Sequence, residues 1–440
     1  MSISPVPPAA DSIPYGSDDL GTEELSTAGY AQSEYLIRGT AAGRAFAVRA
    51  LLRYPVDPNT ASGVAIVEPM HYAGGRSVWP VARREIIRSG HAWAEISCQP
   101  SAERILKEYD PARYREIQIF DGARTDAPAE ADIGGDPDAA RTLAEVRRES
   151  EAFRRRWFES AVQAPEIIQQ FISALRDDAF GIGGADTVIL SGLSQTGGLI
   201  RNFAEKHHAT LSSGTPVVDG YLPMCSGGDA IGDLDVPVIE LLAESEMEEL
   251  RNANLLPGQV RGYSHRREDS DAFRLYEVAG MSHAESRDAP VRNDQPLDID
   301  QRWSLFPSTH VVATVLRSLV NWIRFGTTPP PSRLFELDHD QLLRRDEHGN
   351  AVGGLRTAHL DAPTTSVTVI SGAGPSWLHG RETPFSAEKL IALYGDEATY
   401  REQVRASLAQ SVADGYYLEE DAEEYLADAS WPGIPRQSAL

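Results

Sequence analysis

The 440-residue sequence predicts an α/β protein in which helices cover both faces of a mostly parallel β-sheet. Two observations predict this class. Short apolar segments bounded by Gly, Pro and Asn recur up to residue 278, as is typical of buried strands. Helical patterns stand between and after these segments, and strands that alternate with helices pair in parallel.

Eight segments are predicted as strands of this sheet. In chain order they are residues 34–40, 45–54, 64–68, 92–97, 187–190, 217–222, 236–242 and 273–278. Helices are predicted over residues 81–88, 196–207 and 309–325. The last helix places Val and Leu along one side, and Gly326 with the prolines at 329–331 ends it.

Three regions fall outside this alternation. Residues 1–28 are rich in Pro, Ser, Gly and acidic side chains, and we expect a flexible arm ahead of a core at 29–330. The strands at 92–97 and 187–190 lie too far apart for a βα loop of roughly two to six residues, so an insertion is predicted at about 100–165. Residues 331–440 are predicted to form a C-terminal lobe. We expect the insertion and this lobe to form a cap.

The composition narrows the range of partners. The sequence holds 41 basic and 65 acidic residues, and its net charge of −24 disfavours nucleic acid, polyanionic substrates and anionic membrane surfaces. The two cysteines, Cys98 and Cys225, are too few for a disulfide framework.

Since no secretory signal or long apolar segment is present, we expect a cytoplasmic protein without a membrane span. A homo-oligomer, dimer or tetramer, is expected from base rates alone.

The strongest chemical signal is the segment SGLSQTGG at residues 191–198, which follows a predicted strand and opens a helix. This is the setting of a nucleophile elbow, where a strained turn raises a serine hydroxyl above the sheet. The usual pattern is G-x-S-x-G; here Thr196 takes the fifth position, with Gly197 and Gly198 just beyond. Ser194 is therefore the predicted nucleophile, and a serine that only caps the helix is the alternative.

A nucleophilic serine needs a general base and an acid that orients the base. Past the strand at 236–242, Glu246 is the predicted acid and Glu244 the alternative, with an ordinary solvated turn as the third interpretation. Past the last strand, His283 is the predicted base, on a loop that contains Gly280. The order serine, acid, histidine along the chain suits a nucleophile elbow of this kind.

Attack on an ester also requires two N–H donors for the oxyanion. The backbone N–H of Gln195, the residue after the nucleophile, is one candidate. The loop after the third strand would supply the other. Pro69 has no N–H, so Met70 is the first candidate in that loop and His71 the second.

Side chains near that loop are candidates for substrate contacts. They are His71, Tyr72 and Trp79, for which ordinary packing is an equally good interpretation. Metal motifs such as H-E-x-x-H and C-x-x-C do not occur in the sequence, so we expect neither a metal nor a cofactor.

With these residues, the sequence resembles a broad bacterial family of α/β-hydrolase-domain proteins over roughly residues 30–430. The segments that carry the resemblance are GVAIVEPMHYAGG, SGHAWAEISCQ, YDPARY, GLSQTGG, VDGYLPMCSGG, VAGMSH, NWIRFGTTPP, GNAVGGLRT and PFSAEKLIALYG. The resemblance implies the α/β-hydrolase fold, with the family's serine at Ser194 and its base at His283. The family commonly has Asp as the acid where this sequence has Glu246. It also has Glu-aromatic-Leu-Asn where this sequence has Glu-Pro-Met-His, which implies an altered pocket.

The function expected from these features is cleavage of a carboxylic ester or lactone by a serine hydrolase through an acyl-enzyme. Among family members of known activity, the sequence is similar to bacterial zearalenone lactonases, which implies a bulky, apolar macrocyclic lactone as substrate. The alternatives are a general carboxylesterase, amide, thioester or carbon–carbon hydrolysis on the same triad, a cofactor-free haloperoxidase, or a non-catalytic binding protein. Substrate choice depends on the cap, which the sequence does not define.

Overall fold

The fold is that of a computed structural model, which describes most of the chain. Described are residues 1–9, 11–16, 22–122, 155–211, 216–247, 263–284, 286–287, 300–370 and 378–429, together with residues 142, 145, 148 and 152. Much of the predicted insertion at 100–165 therefore lies outside the described residues. Within the described part, no helix is long and apolar enough to cross a membrane.

The larger of the two sheets formed by the described residues has nine strands. Its strands are β1 (Ser2–Pro5), β2 (Tyr30–Ala41), β3 (Arg44–Pro55), β4 (Val64–Pro69), β5 (Ala92–Ile96), β6 (Thr187–Leu193), β7 (Gly220–Met224), β8 (Val238–Ala243) and β9 (Phe273–Val278). They lie in the order β1-β2-β3-β5-β4-β6-β7-β8-β9. The eight predicted strands are all present. A smaller sheet has the order β10-β12-β11, with β10 at Arg302–Trp303, β11 at Thr365–Thr368 and β12 at Arg381–Pro384.

The pairing of the strands creates the edge at which a site can form. Strand β4 pairs in parallel with β5 on one side and β6 on the other, and β6 pairs in parallel with β7. After β4, the next strand along the chain, β5, lies on one side of β4, and the following strand, β6, lies on its other side. A crevice opens outside the carboxyl ends of the strands at such a switch point, and ligands bind there in open α/β sheets.

Twelve α-helices are assigned within the described residues. They are α1 (Thr22–Thr27), α2 (Trp79–Arg88), α3 (Pro100–Tyr109), α4 (Ala164–Arg176), α5 (Gln195–Lys206), α6 (His208–Leu211), α7 (Glu244–Met247), α8 (Ser308–Phe325), α9 (Ala358–Asp361), α10 (Ala387–Tyr394), α11 (Glu397–Ala413) and α12 (Glu419–Asp428). Strands β4 and β6 are buried along their whole length, as expected for strands covered on both faces.

The described residues fall into two compact units. The first lies within residues 1–240, 252–273 and 319–327, and the second within 241–251, 274–318 and 328–440. This division does not coincide with the predicted boundary at residue 330, because residues 274–318 group with the C-terminal lobe. The second unit has its own apolar core. Its residues are Ala358, Ala362, Phe385, Leu390, Tyr394, Tyr400, Val404, Leu408, Tyr417 and Ala429.

The expectation of a flexible N-terminal arm at 1–28 is wrong for its described part. Strand β1 pairs antiparallel with β2, which makes it the edge strand of the sheet. Arg113 donates to the carbonyl of Val6 at 2.8 Å, and Arg49 donates to that of Tyr15 at 2.5 Å. Buried Glu34 accepts from both arginines, at 2.7 and 2.6 Å. Backbone pairing and these arginines hold a segment whose composition alone indicates disorder.

In the second unit, the buried carboxylate of Glu382 connects separate elements. Its oxygens lie 2.8 Å from His359 Nε2 and 3.0 Å from Arg302 Nε, and accept from the Leu305 N–H at 2.7 Å. Burial alone raises the pKa of Glu382. The neighbouring His359, then Arg302 and the Leu305 N–H, outweigh burial and lower the pKa from 4.5 to about 2.

This carboxylate makes the stability of the protein depend on acid pH. Because the folded-state pKa of Glu382 lies below the unfolded one, its contribution is present above about pH 4.5 and is lost as the pH falls towards about 2. We predict that Glu382→Gln lowers the free energy of unfolding at about pH 6, and that its deficit against the wild type shrinks by about pH 3. Urea titrations at both pH values measure this, and an unchanged deficit would contradict it.

Candidate active site

Ser194 occupies a strained turn between strand β6 and helix α5. Its φ is 60° and its ψ is −120°, a conformation that residues with a side chain rarely adopt. Two backbone hydrogen bonds hold the turn: Ser194 N donates to Met224 O at 2.9 Å, and Gly198 N donates to Ser194 O at 3.0 Å. The residue is half-buried. The predicted elbow is therefore present in the backbone.

The residues around the turn explain why the chain folds this way. A Cβ atom on Gly192 would lie 2.5 Å from the backbone carbonyl of Thr196, and one on Gly197 would lie 2.7 Å from the carbonyl oxygen of Met224. Only glycine allows strand and helix to approach this closely. Thr196 closes the turn, since its hydroxyl accepts from Leu193 N and donates to Leu193 O, both at 2.9 Å. Thr196 thus has a structural role at the fifth position of the motif.

Glu246 and His283, the predicted acid and base, contact each other in the second unit. Glu246 Oε1 lies 2.5 Å from His283 Nδ1, and their side chains are 2% and 3% exposed. Glu246 lies in the short helix α7, which follows directly on β8. Its other oxygen accepts from Ala243 N at 3.0 Å, which fixes the carboxylate. Of the two predicted candidates for the acid, Glu246 is the one that contacts the imidazole.

Glu244, the alternative acid, has a different task. Its Oε2 accepts from Gly280 N at 2.7 Å, and its Oε1 accepts from Arg345 at 2.9 Å. Gly280 adopts a φ of 78° at the start of the loop that carries His283. The buried Glu244 carboxylate therefore holds the loop that carries His283.

The C-terminal lobe also supports this loop. Four residues before His283, Ala279 N donates to Leu355 O at 3.0 Å. Directly after His283, Ala284 N donates to Leu378 O at 2.9 Å. Both partners belong to the lobe that was predicted to act as a cap. Within the second unit, the lobe thus forms part of the scaffold for His283.

One predicted oxyanion donor is contradicted by the strand register. Met70 N donates to Ile96 O at 2.9 Å, so this N–H already belongs to the sheet. Met70 is therefore wrong as the second donor, and His71, the second candidate, takes its place as a hypothesis. Gln195 is the first residue of α5, and the first N–H groups of a helix have no partner inside the helix.

The three predicted substrate-contact residues, His71, Tyr72 and Trp79, differ in burial and in the contacts that they make. Trp79 is only 1% exposed, and its ring packs on Trp93 at 5.4 Å with the guanidinium of Arg53 at 4.5 Å. It is a core residue, which makes the prediction of a substrate contact wrong. His71 is buried, and its Nδ1 accepts from Ala73 N at 3.1 Å, so its ring supports the loop. Tyr72 is half-buried and stays a prediction.

Sequence reasoning missed Gln99. It follows β5 at the same sheet edge, is 1% exposed, and bonds to the side chain of Gln195. The available signal was its position just past a predicted strand, where parallel strands bring polar residues together.

One of the two groups of described residues that have the ligand composition of a metal site lies in the C-terminal lobe. Asp338, His339 and Asp340 place their ligand atoms within 4.8 Å of one another. The side chains of His339 and Asp340 are 87% and 64% exposed, and these two residues already pair at 3.0 Å. We assign no function to this group.

Comparison with known proteins gives a family. A family model described as alpha/beta hydrolase domain matches residues 3–427. The chain is similar to a cold-adapted esterase from an Arctic intertidal metagenomic library, with 13% identity, a TM-score of 0.28, and coverage of 60% of this chain and 89% of the esterase. It is also similar to a thermostable esterase from Pseudomonas putida, with 11% identity, a TM-score of 0.28, and coverage of 52% and 72%. No curated protein matches the sequence.

The close packing at the elbow leads to a prediction about stability. Gly192→Ala would press a methyl group onto the backbone of Thr196, which cannot move without shifting α5. We predict a loss of about 1–3 kcal/mol in the free energy of unfolding. Gly227→Ala is the matched control, because a Cβ there meets nothing within 4 Å. Urea unfolding of both variants measures this, and equal stabilities would show that the turn is not tightly packed.

Proposed function

The chain belongs to the alpha/beta hydrolase domain family, and on that premise we propose that it is a serine hydrolase that cleaves carboxylic esters. The observation that carries the proposal is the backbone of Ser194, with φ 60° and ψ −120°. A residue that only caps a helix normally has extended backbone angles and bonds to the helix through its side chain. Among the described residues, Ser194 makes no such capping bond. Strain of this kind is concentrated at functional sites.

In the proposed reaction, Glu246 and His283 activate the serine. A carboxylate can only accept, so the short contact to Glu246 keeps a proton on His283 Nδ1 and leaves the ring's lone pair on Nε2. That nitrogen takes the proton of Ser194 Oγ as the oxygen attacks the ester carbonyl carbon. The Glu246 carboxylate then stabilises the imidazolium.

Charge develops on the carbonyl oxygen during this attack. The backbone N–H of Gln195 and, as second donor, that of His71 are proposed to bind it. Removal of one such donor typically lowers the rate by about a hundred- to thousandfold. Helix α5 begins next to Ser194, so the positive end of its dipole adds to the same stabilisation.

Three proton transfers complete the cycle. The imidazolium gives its proton to the leaving alkoxide, which departs as the alcohol while the acyl group stays on Ser194. His283 then takes a proton from water as the water oxygen attacks the acyl carbon. The imidazolium returns this proton to Ser194 Oγ as the bond between Oγ and the acyl carbon breaks, which releases the acid and restores the serine. With a lactone, alcohol and acid remain in one molecule, and the ring opens.

For the substrate, we propose a bulky apolar ester or lactone, with zearalenone as the first macrocyclic lactone to test. The proposal comes from the resemblance of the sequence motifs, and the net charge of the chain, which disfavours anionic substrates, is compatible with it. A panel of p-nitrophenyl esters of increasing size, simple lactones and zearalenone separates a lactonase from a general carboxylesterase. Turnover confined to amides or thioesters would favour another reaction on the same residues.

The serine is tested independently of the substrate. A serine-directed fluorophosphonate should add one phosphonyl group to the wild type and none to Ser194→Ala, as measured by intact mass. The reagent needs an activated hydroxyl and no particular ester pocket. A folded wild type that gains no mass would overturn the proposal and favour a binding protein. An adduct that persists in Ser194→Ala would also overturn it, because the reactive group would then be another residue.

The choice between the two glutamates gives a second prediction. Glu246→Gln should lower kcat on p-nitrophenyl butyrate by about a thousandfold or more, because the histidine loses its orienting carboxylate. Glu244→Gln should lower kcat less, since it loosens the loop and leaves the ring contact. Asp235→Asn is the matched control: Asp235 lies 2.5 Å from His208 Nε2, the same distance as in the proposed pair. A larger loss in Glu244→Gln than in Glu246→Gln would contradict the assignment.

A further inference from the structure

Two buried glutamines connect the loops that follow β4, β5 and β6. Gln195 Nε2 donates to Gln99 Oε1 at 2.6 Å, and Gln99 Nε2 donates back to Gln195 Oε1 at 3.2 Å. Their residues are 5% and 1% exposed. This reciprocal pair joins the first residue of α5 to the segment just past β5. Both partners are uncharged, so the pair itself adds no net charge beside the proposed oxyanion.

The same carboxamides hold the loop after β4 at two points. Gln99 Nε2 donates to Met70 O at 2.8 Å, and Tyr72 N approaches Gln195 Oε1 at 3.4 Å. These two contacts flank His71, the residue whose N–H is the proposed second oxyanion donor.

The contact to Met70 O sets the direction of that N–H. The carbonyl of Met70 and the N–H of His71 belong to one peptide group, which is planar and trans, so the two point in opposite directions. When Gln99 fixes the carbonyl, it also fixes the N–H on the other side. A hydrogen bond at the carbonyl oxygen further polarises the peptide and strengthens its N–H as a donor.

We propose that Gln99 is a positioning residue for the oxyanion hole, through its hydrogen bond to the Met70–His71 peptide and its pairing with Gln195. The inference rests on the proposed ester hydrolysis and deepens it. Gln99 does not touch the reacting atoms; it aligns one donor with the loop that carries the other. Its loss therefore weakens transition-state binding and leaves ground-state binding of the substrate nearly unchanged.

The test replaces Gln99 by Met, which keeps the length of the side chain and removes its hydrogen bonds. We expect kcat on p-nitrophenyl butyrate to fall about ten- to a hundredfold, less than for outright loss of a donor, with KM changed by less than about threefold. The rate of phosphonylation of Ser194 should fall by a similar factor, because the phosphonyl oxygen uses the same donors.

Gln163→Met is the matched control. Gln163 is fully buried, donates to Ala41 O at 3.0 Å and accepts from Phe120 N at 2.7 Å, on segments that carry no proposed site residue. The Gln163→Met variant should lose stability to a similar extent as Gln99→Met and keep its kcat and phosphonylation rate.

If Gln99→Met does not fold, Gln195→Met serves instead. This substitution breaks the glutamine pair, keeps every backbone N–H, and should lower kcat by a smaller factor than the one expected for Gln99→Met.

The outcomes separate the two proposals. A wild type that is phosphonylated at Ser194, beside a folded Gln99→Met variant with unchanged kcat and phosphonylation rate, would overturn the role of Gln99 and leave the ester hydrolase standing. An equal loss of kcat in Gln163→Met would also overturn it, since both losses would then follow from stability. A wild type without an adduct would overturn both proposals.

Discussion

The left-handed backbone of Ser194 is the constraint on which the site depends. A side-chain-bearing residue in a sparsely populated region costs of order 1–3 kcal/mol, so its neighbours must over-determine the conformation. They do so here through the hydrogen bonds to Met224 and Gly198 and through glycines that let α5 lie against the sheet. The same turn places the Gln195 N–H at a helix start and directs the Gln195 side chain to Gln99. The proposed nucleophile and one proposed oxyanion donor therefore come from one local fold.

Much of this was predictable from local sequence. Strand β4 spans Val64–Pro69 and covers the predicted residues 64–68, because a buried parallel strand is a mostly apolar segment with turn residues on both sides. The elbow was identifiable because its position between strand and helix matters more than its imperfect motif. Glu246 and Glu244 could not be separated by spacing alone. Both follow β8 closely, and only the directions of their side chains, towards His283 and Gly280, decide between them.

The errors have physical causes that a sequence does not display. The N-terminal segment is held by the backbone pairing of β1 and by the carbonyls of Val6 and Tyr15, which accept from Arg113 and Arg49. Because backbone groups make these contacts, the composition of the segment does not reveal them. Met70 failed as a donor because the register of the strand end commits its N–H to Ile96. Trp79 failed because an aromatic residue near a site has the same sequence pattern whether it faces a pocket or packs in the core. The support that the C-terminal lobe gives to the His283 loop depends on contacts far apart in the chain.

The proposed reaction requires a serine that attacks while two backbone N–H groups bind the oxyanion. The most direct test is a crystal structure of the wild-type protein after reaction with a fluorophosphonate. We expect phosphorus bonded to Ser194 Oγ, with the phosphonyl oxygen within about 3.2 Å of the Gln195 and His71 nitrogens and Gln99 still bonded to Met70 O. Phosphorus on another residue, or a phosphonyl oxygen turned away from both N–H groups, would contradict it.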